Sequence, residues 1–205
     1  MLSKTNIDLK NNLRKLSSGE RITRAADDAA GLAISEKLKA QIRSIRQAKR
    51  NADDGISLIQ TAEGGLNEVS SIIIRLRELA VQAASDTIGD TERDFSNIEF
   101  QQLKEEVQRI SMSSEFNGRQ LLDGTSGIVE IQVGINNDAF KDRIKYDGTN
   151  ISSTLENLGI AGEMVSTKEG SQMALSKLDD ALVQVNGQRA ELGALQNRLT
   201  SVIQT

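Results

Sequence analysis

The sequence predicts a mainly α fold: an elongated, coiled-coil-like helical bundle of two N-terminal helices and one C-terminal helix, carrying a small β-hairpin. Three observations carry this expectation. Within residues 16–84, Leu38, Ile45, Ala52, Ile59, Leu66, Ile73 and Ala80 recur at steps of seven. Ala48, Ala62, Val69, Leu76 and Ala83 follow three residues behind, which makes an a/d seam sustained over six to seven heptads. The 205 residues include no Pro, so nothing obliges a long helix to break. Residues 128–146 then change to period-two alternation. An unbroken helix over 28–85 would run roughly 85 Å at about 1.5 Å per residue, and such a rod buries its stripe only against other long helices.

The elements follow in order. Leu2, Ile7, Leu9, Leu13 and Leu16 space a short amphipathic helix, interrupted at Ser17, Ser18 and Gly19, where Gly19 is free to take positive φ. Thr23 or Asp27 is expected to cap the long helix, and Asp27 and Asp28 favour its positive end. Gly31, Gly55, Gly64 and Gly65 each cost that helix up to about 1 kcal/mol, which close approach of a neighbour at the d position of Gly55 would offset. The stretch SDTIGDT (85–91) breaks the pattern. Thr91 and Asp94 resemble a capping pair for an antiparallel second helix over 91–113, expected to bury Phe95, Leu103, Val107 and Ile110. Val129, Ile131 and Val133 alternate with Glu130 and Gln132, as do Ile144 and Tyr146 with Arg143 and Lys145, which predicts the hairpin over 128–146. Residues 147–170 lack a period and read as loop. Leu178, Leu182, Val185, Leu192, Leu195, Leu199 and Val202 then define a helix over 168–205. Both outer helices stand in mid-pattern at the ends of the chain, so the ends of a longer protein are expected to be absent.

Composition narrows the function. With no His and no Cys, the usual acid–base, thiol and Cys-ligated metal chemistries have no residues to use, and no phosphate-binding glycine loop is present. The pairs Asp27, Asp28 and Asp53, Asp54 do not complete a hard-cation shell, because neighbours on a helix point about 100° apart. No cofactor and no enzymatic activity are expected. The net charge of −4 argues against nucleic acid. The basic run from Lys37 to Arg50 winds around its helix without interleaved aromatics and reads as solvated or subunit-facing surface. No apolar run is long enough to span a membrane, and no basic segment followed by an apolar one marks a cleavable signal. Asn150, Ile151 and Ser152 match a glycosylation acceptor only weakly.

Long stretches of the chain resemble bacterial flagellin: LSSGERI (16–22), AADDAAGLAIS (25–35), NADDGISLIQTAEGGLNE (51–68), RLRELAVQAAS (75–85), EFNG (115–118) and RAELGALQNRL (189–199). The resemblance implies a core rod domain over 19–205 and a residual terminal-domain helix and linker over 1–18, without most of the terminal polymerisation helices or the variable outer domains. It implies a structural subunit of the extracellular flagellar filament, exported without a cleavable signal, whose partners are other flagellin subunits. With incomplete terminal helices the chain is expected to be a monomer or weak oligomer. The resemblance also assigns supercoil switching to the hairpin, here Val129, Ile131, Val133, Ile144 and Tyr146. It further implies recognition by the animal flagellin-sensing toll-like receptor through Arg75, Leu79, Gln82, Glu106 and Arg109. Ile74 departs from that pattern, since receptor-binding members often have Gln there. A junction protein between filament and hook shares the terminal motifs and is the alternative reading; agreement through RLRELAVQ favours the filament subunit.

Overall fold

The computed structural model describes residues 2–19 and 21–204, except the side chains of 2–5, 7, 8 and 11. In chain order it contains α1 (Leu2–Ser18), α2 (Ala29–Ala83), α3 (Asp90–Ser113), β1 (Glu115–Phe116), β2 (Arg119–Gln120), β3 (Ile128–Gln132), β4 (Arg143–Asp147) and α4 (Lys168–Gln204). Residues 1–48 and 49–205 form two compact units.

In the first unit Gly19 takes φ +67° and ends α1, as expected. Leu9, Leu13 and Leu16 of the expected stripe are exposed, while Leu2 and Ile7 lie outside the described side chains. The cap of α2 differs from expectation. Asp28 accepts the Gly31 N–H at 2.8 Å, whereas Asp27 accepts the Thr23 N–H at 3.3 Å and the Thr23 hydroxyl at 3.2 Å. Asp28 wins because it immediately precedes the first helical residue, within reach of an orphan N–H of the first turn. The heptad also fails here: Leu38 is 52% and Ile45 56% exposed, as are Ile34 and Ile42 beside them.

In the second unit the heptad holds at every position. Ala52, Ile59, Leu66, Ile73 and Ala80 have no exposed surface, nor do Ala62, Val69, Leu76 and Ala83. Contacts along α2 fix its neighbours' directions. Ala83 meets Arg93, Arg75 meets Glu99 and Gly65 approaches Ser114, so α3 runs antiparallel to α2. Arg77 meets Asp179 and Gly55 approaches Leu199, so α4 is antiparallel as well. The predicted stripe of α4 is buried at Leu178, Val185, Leu192 and Leu199, with Ala174, Ala181, Ser171 and Gln188 completing the seam. Val202 is 38% exposed, and α4 is described to Gln204, with Thr205 outside the described residues.

Two expectations for α3 are corrected. Phe95 is 67% exposed; the buried positions are Arg93, Phe100, Lys104, Val107 and Ser111, with Leu103 and Ile110 half-buried. Thr91 does not cap α3, whose N-cap is Gly89 with no side-chain bond. Arg93 takes up the ends instead. Its guanidinium donates to the carbonyls of Ala83 at 2.8 Å and Ser85 at 3.0 Å and to the Asp90 carboxylate at 2.7 Å. It thereby satisfies carbonyls that the end of α2 leaves unpaired and counters that end's negative dipole.

Residues 148–167, between β4 and α4, form no helix and no paired strand beyond a single bridge of Ser152 to Asp123, so most of the expected loop holds, yet they bury Ile151, Leu158, Ile160 and Val165. Their backbone is satisfied by a polar stripe on α3. Asn97 accepts the Val165 N–H at 3.0 Å, and Gln108 accepts the Leu155 N–H at 3.0 Å. Lys104 donates to the carbonyls of Ala161 at 2.7 Å and Glu163 at 2.8 Å, and Ser111 to that of Ser153 at 2.7 Å. Spacings of seven, four and three put these groups on one side of α3. An unforeseen tight hairpin, β1 with β2, turns through Asn117 at φ +52° and Gly118 at φ +75°.

Replacing Leu66 by Ala should cost about 2–5 kcal/mol, because a side chain with no exposed surface leaves a cavity. Leu38→Ala should stay within about 0.5 kcal/mol. Urea unfolding of both variants checks the pair.

Candidate functional site

The predicted switch hairpin forms with Ile131 opposite Ile144 and Val129 opposite Tyr146. Alternation turns these side chains to one face: Ile131, Val133, Ile144 and Tyr146 are buried and Val129 is half-buried. The opposite face carries Glu130, which Lys145 meets at 2.9 Å and Arg143 at 3.4 Å. The hairpin docks on α2 at Gly55, where a Cβ would stand 2.6 Å from Ile131 Cδ1, so a larger residue would have to displace the end of the Ile131 side chain. The neighbour that offsets the helical cost of Gly55 is therefore this strand, with Leu199 of α4 beside it at 3.3 Å. Gly64, in contrast, faces open space. Asn51 donates to the Gln132 carbonyl at 3.0 Å and fixes the register of strand on helix. Tyr146 donates to the Leu121 carbonyl at 3.0 Å, and burial pushes its hydroxyl up to about 12.

The residues assigned to receptor recognition separate into two kinds. Arg75, Gln82 and Arg109 are exposed and Glu106 is half-buried, but Leu79 is only 2% exposed. Leu79 shares the side of α2 that carries Arg75 and Gln82, yet that flank is covered within the fold, so its side chain is not an accessible anchor. The guanidiniums are held in place by carboxylates. Arg75 donates to Glu99 at 2.8 Å and 3.0 Å and to Glu78 at 3.0 Å, while Arg109 pairs with Glu106 through two nitrogens, the Nε bond being 2.7 Å. These bonds raise both arginines above their ordinary range and lower Glu106 below the usual carboxylate range.

No group of three metal-ligating side chains occurs among the described residues, and no described helix is long and apolar enough to cross a membrane. Asp27 and Asp28 spend their oxygens on the turn before α2 and on its cap. Within the sequon-like triplet, Ser152 is buried. Sequence reasoning missed the two buried cations, Arg93 and Lys104, although Arg93, Phe100 and Val107 stand at steps of seven and mark an inward position occupied by a charge. Burial lowers the Lys104 ammonium below the usual lysine range, against the opposing field of Glu163.

Residues 1–127 match the model of the bacterial flagellin N-terminal helical region. The chain belongs to the flagellin family. The flagellin of Halalkalibacterium halodurans is 48% identical over 191 residues, covering 93% of this chain and 69% of that protein. The crystal structure of Bacillus cereus flagellin superposes with a TM-score of 0.67 at 30% identity, covering 76% of this chain and 88% of that one. A putative flagellar hook-associated protein from Vibrio parahaemolyticus gives a TM-score of 0.70 over 88% of this chain and 92% of that one, at 15% identity, and so shares the fold alone. Family membership makes the chain a structural protein of the flagellar filament and not an enzyme.

Four surface carboxylates predict the response to acid. Asp179 is lowered by its bond to Arg77, Asp86 by Lys168, Glu130 by Lys145 and Glu106 by Arg109. A carboxylate lowered on folding adds stability above its unfolded value, near pH 4 to 4.5, and loses it as pH falls through the folded value. The melting temperature should therefore be flat above about pH 5 and fall below it. Asp179→Asn should flatten that fall; calorimetry between pH 3 and 7 checks the sign.

Proposed function

We propose that the chain acts as a mechanical subunit of the extracellular flagellar filament, joined to other flagellin subunits through its helical core and exported without a cleavable signal. Residues 19–205 are its core rod and 1–18 a terminal-domain helix and linker. In isolation it is a monomer or weak oligomer. The observation that carries the reading is the continuous helical seam of α2, α3 and α4 together with 48% identity to a flagellin over nearly the whole chain. Heterologous contacts between identical rigid units build an open helix when they do not close.

The hairpin residues Val129, Ile131, Val133, Ile144 and Tyr146 carry the supercoil switch in this reading. Their support is the tight seat of Ile131 on Gly55, because a packed interface changes between discrete arrangements rather than yielding gradually.

A second role, as ligand of the animal flagellin-sensing toll-like receptor, is supported by the exposed and pre-positioned Arg75 and Arg109. Arg75, Gln82, Glu106 and Arg109 make the contact, and Leu79 sets the backbone beneath them. Arginines held in place lose less freedom on binding and serve as anchors.

Immunogold labelling of flagellated cells of the source, with antibody to this chain, should mark filaments along their whole length. Gold confined to the filament base, or bare filaments, overturns the reading. Arg75→Ala should reduce potency in a receptor reporter assay by about tenfold, the loss of about 1.4 kcal/mol of contact; unchanged potency removes the receptor role.

A further inference from the structure

Methionine is among the residue types most often fully buried in folded proteins. This chain reverses that habit. Of its four methionines, Met112, Met164 and Met173 have described side chains, and these are 55%, 52% and 66% exposed. Among the described residues the core contains no sulfur: it is built from Leu, Ile, Val and Ala with Phe100 and Tyr146, although methionine is the usual filler of irregular gaps. With no Cys and no Trp in the sequence, the thioethers are the groups most open to two-electron oxidants.

Each of the three also hangs from backbone that is anchored without it. Met112 stands in the last turn of α3, where its carbonyl accepts the Gln120 side-chain N–H at 2.9 Å. Met164 lies between two fixed neighbours, since the Glu163 carbonyl accepts from Lys104 at 2.8 Å and the Val165 N–H donates to Asn97 at 3.0 Å. Met173 belongs to the first turns of α4; its carbonyl accepts the Ser176 hydroxyl at 3.1 Å, while Ser171 and Ala174 on either side are the buried positions. Oxidation to the sulfoxide turns a flexible apolar side chain into a polar one, which disrupts a packed core. At these positions the new dipole meets water, and the seam keeps its side chains.

We propose that Met112, Met164 and Met173 are modification sites for peroxide-class oxidants, together taking up three oxygen atoms per chain while the fold stays intact. In each step the thioether sulfur attacks one peroxide oxygen, and the S–O bond forms as the O–O bond breaks. The hydrogen of the transferred oxygen passes to the departing hydroxide, which leaves as water. The sulfur loses two electrons and the peroxide gains them. Sulfoxide reductases, one for each epimer, reverse the change. These sites are independent of the filament-subunit reading.

Hydrogen peroxide is the probe, and peptide mass spectrometry of the whole chain after timed exposure reads each site separately. All three should gain one oxygen in the folded chain at rates within about fivefold of those in concentrated urea, because no opening of the fold is needed. The fully oxidised chain should melt within about 3 °C of the untreated one, with the near-ultraviolet signal of Tyr146 unchanged. Leu178→Met supplies the contrast, since Leu178 has no exposed surface and the exchange conserves volume. The thioether of Leu178→Met should oxidise at least about tenfold more slowly in the folded chain than in urea, because it reacts only through local opening. Protection of Met112, Met164 or Met173 by more than about fivefold overturns the proposal. So does a melting temperature lowered by more than about 3 °C once they are oxidised.

Discussion

A single stripe on α2 must satisfy two helices and a hairpin at once, and the architecture of the second unit follows from that demand. A strict a/d seam is wide enough for one partner. Here the stripe is broadened on both flanks: Leu58 and Leu79 extend it on one side, and Ile56 and Ser70 on the other. Gly65 and Arg75 meet α3 on the first flank, and Arg77 meets α4 on the second. Where the hairpin joins, the stripe narrows to Gly55. Because the core is aliphatic, with Phe100 and Tyr146 its only fully buried aromatics, specificity comes from spacing and close approach rather than from large rings.

The helices were legible in the sequence because their burial repeats. From Ala48 onward each heptad position is buried, and the alternation of 128–146 placed all five hairpin residues on the inner face. Before Ala48 the same spacing leaves Ile34, Leu38, Ile42 and Ile45 exposed, since periodicity states which face is apolar and not whether anything covers it. Phe95 misled for a related reason: hydrophobicity drew attention to it, whereas the seam position two residues earlier is an arginine. The caps were misread because Asp27 and Asp28 are adjacent and chemically alike, and only the backbone decides which carboxylate faces the first turn.

The segment 147–170 was legible as loop and illegible as core. Its buried residues Ile151, Leu158, Ile160 and Val165 follow no period, because their placement is set by backbone groups that must find partners on α3. Lys104 illustrates the difficulty. A lysine in a helical seam ordinarily signals solvent, and here it is nearly enclosed by two carbonyls, the Gln101 amide oxygen and the face of Phe100 at 5.9 Å. The candidate recognition residues show the same division. Arg75, Gln82 and Arg109, assigned by resemblance, lie on the surface, but Leu79 is enclosed, which no pattern within α2 discloses.

Tyr146 is the only tyrosine of a chain without tryptophan, and it sits with no exposed surface in the strand that docks on α2. Its emission and its near-ultraviolet absorbance thus belong to one defined place in the fold. The hydrogen bond to the Leu121 carbonyl ties that signal to the seating of the hairpin. The protein therefore carries its own optical gauge for the element assigned to switching, and packing changes at the hairpin can be followed by light without attaching a dye.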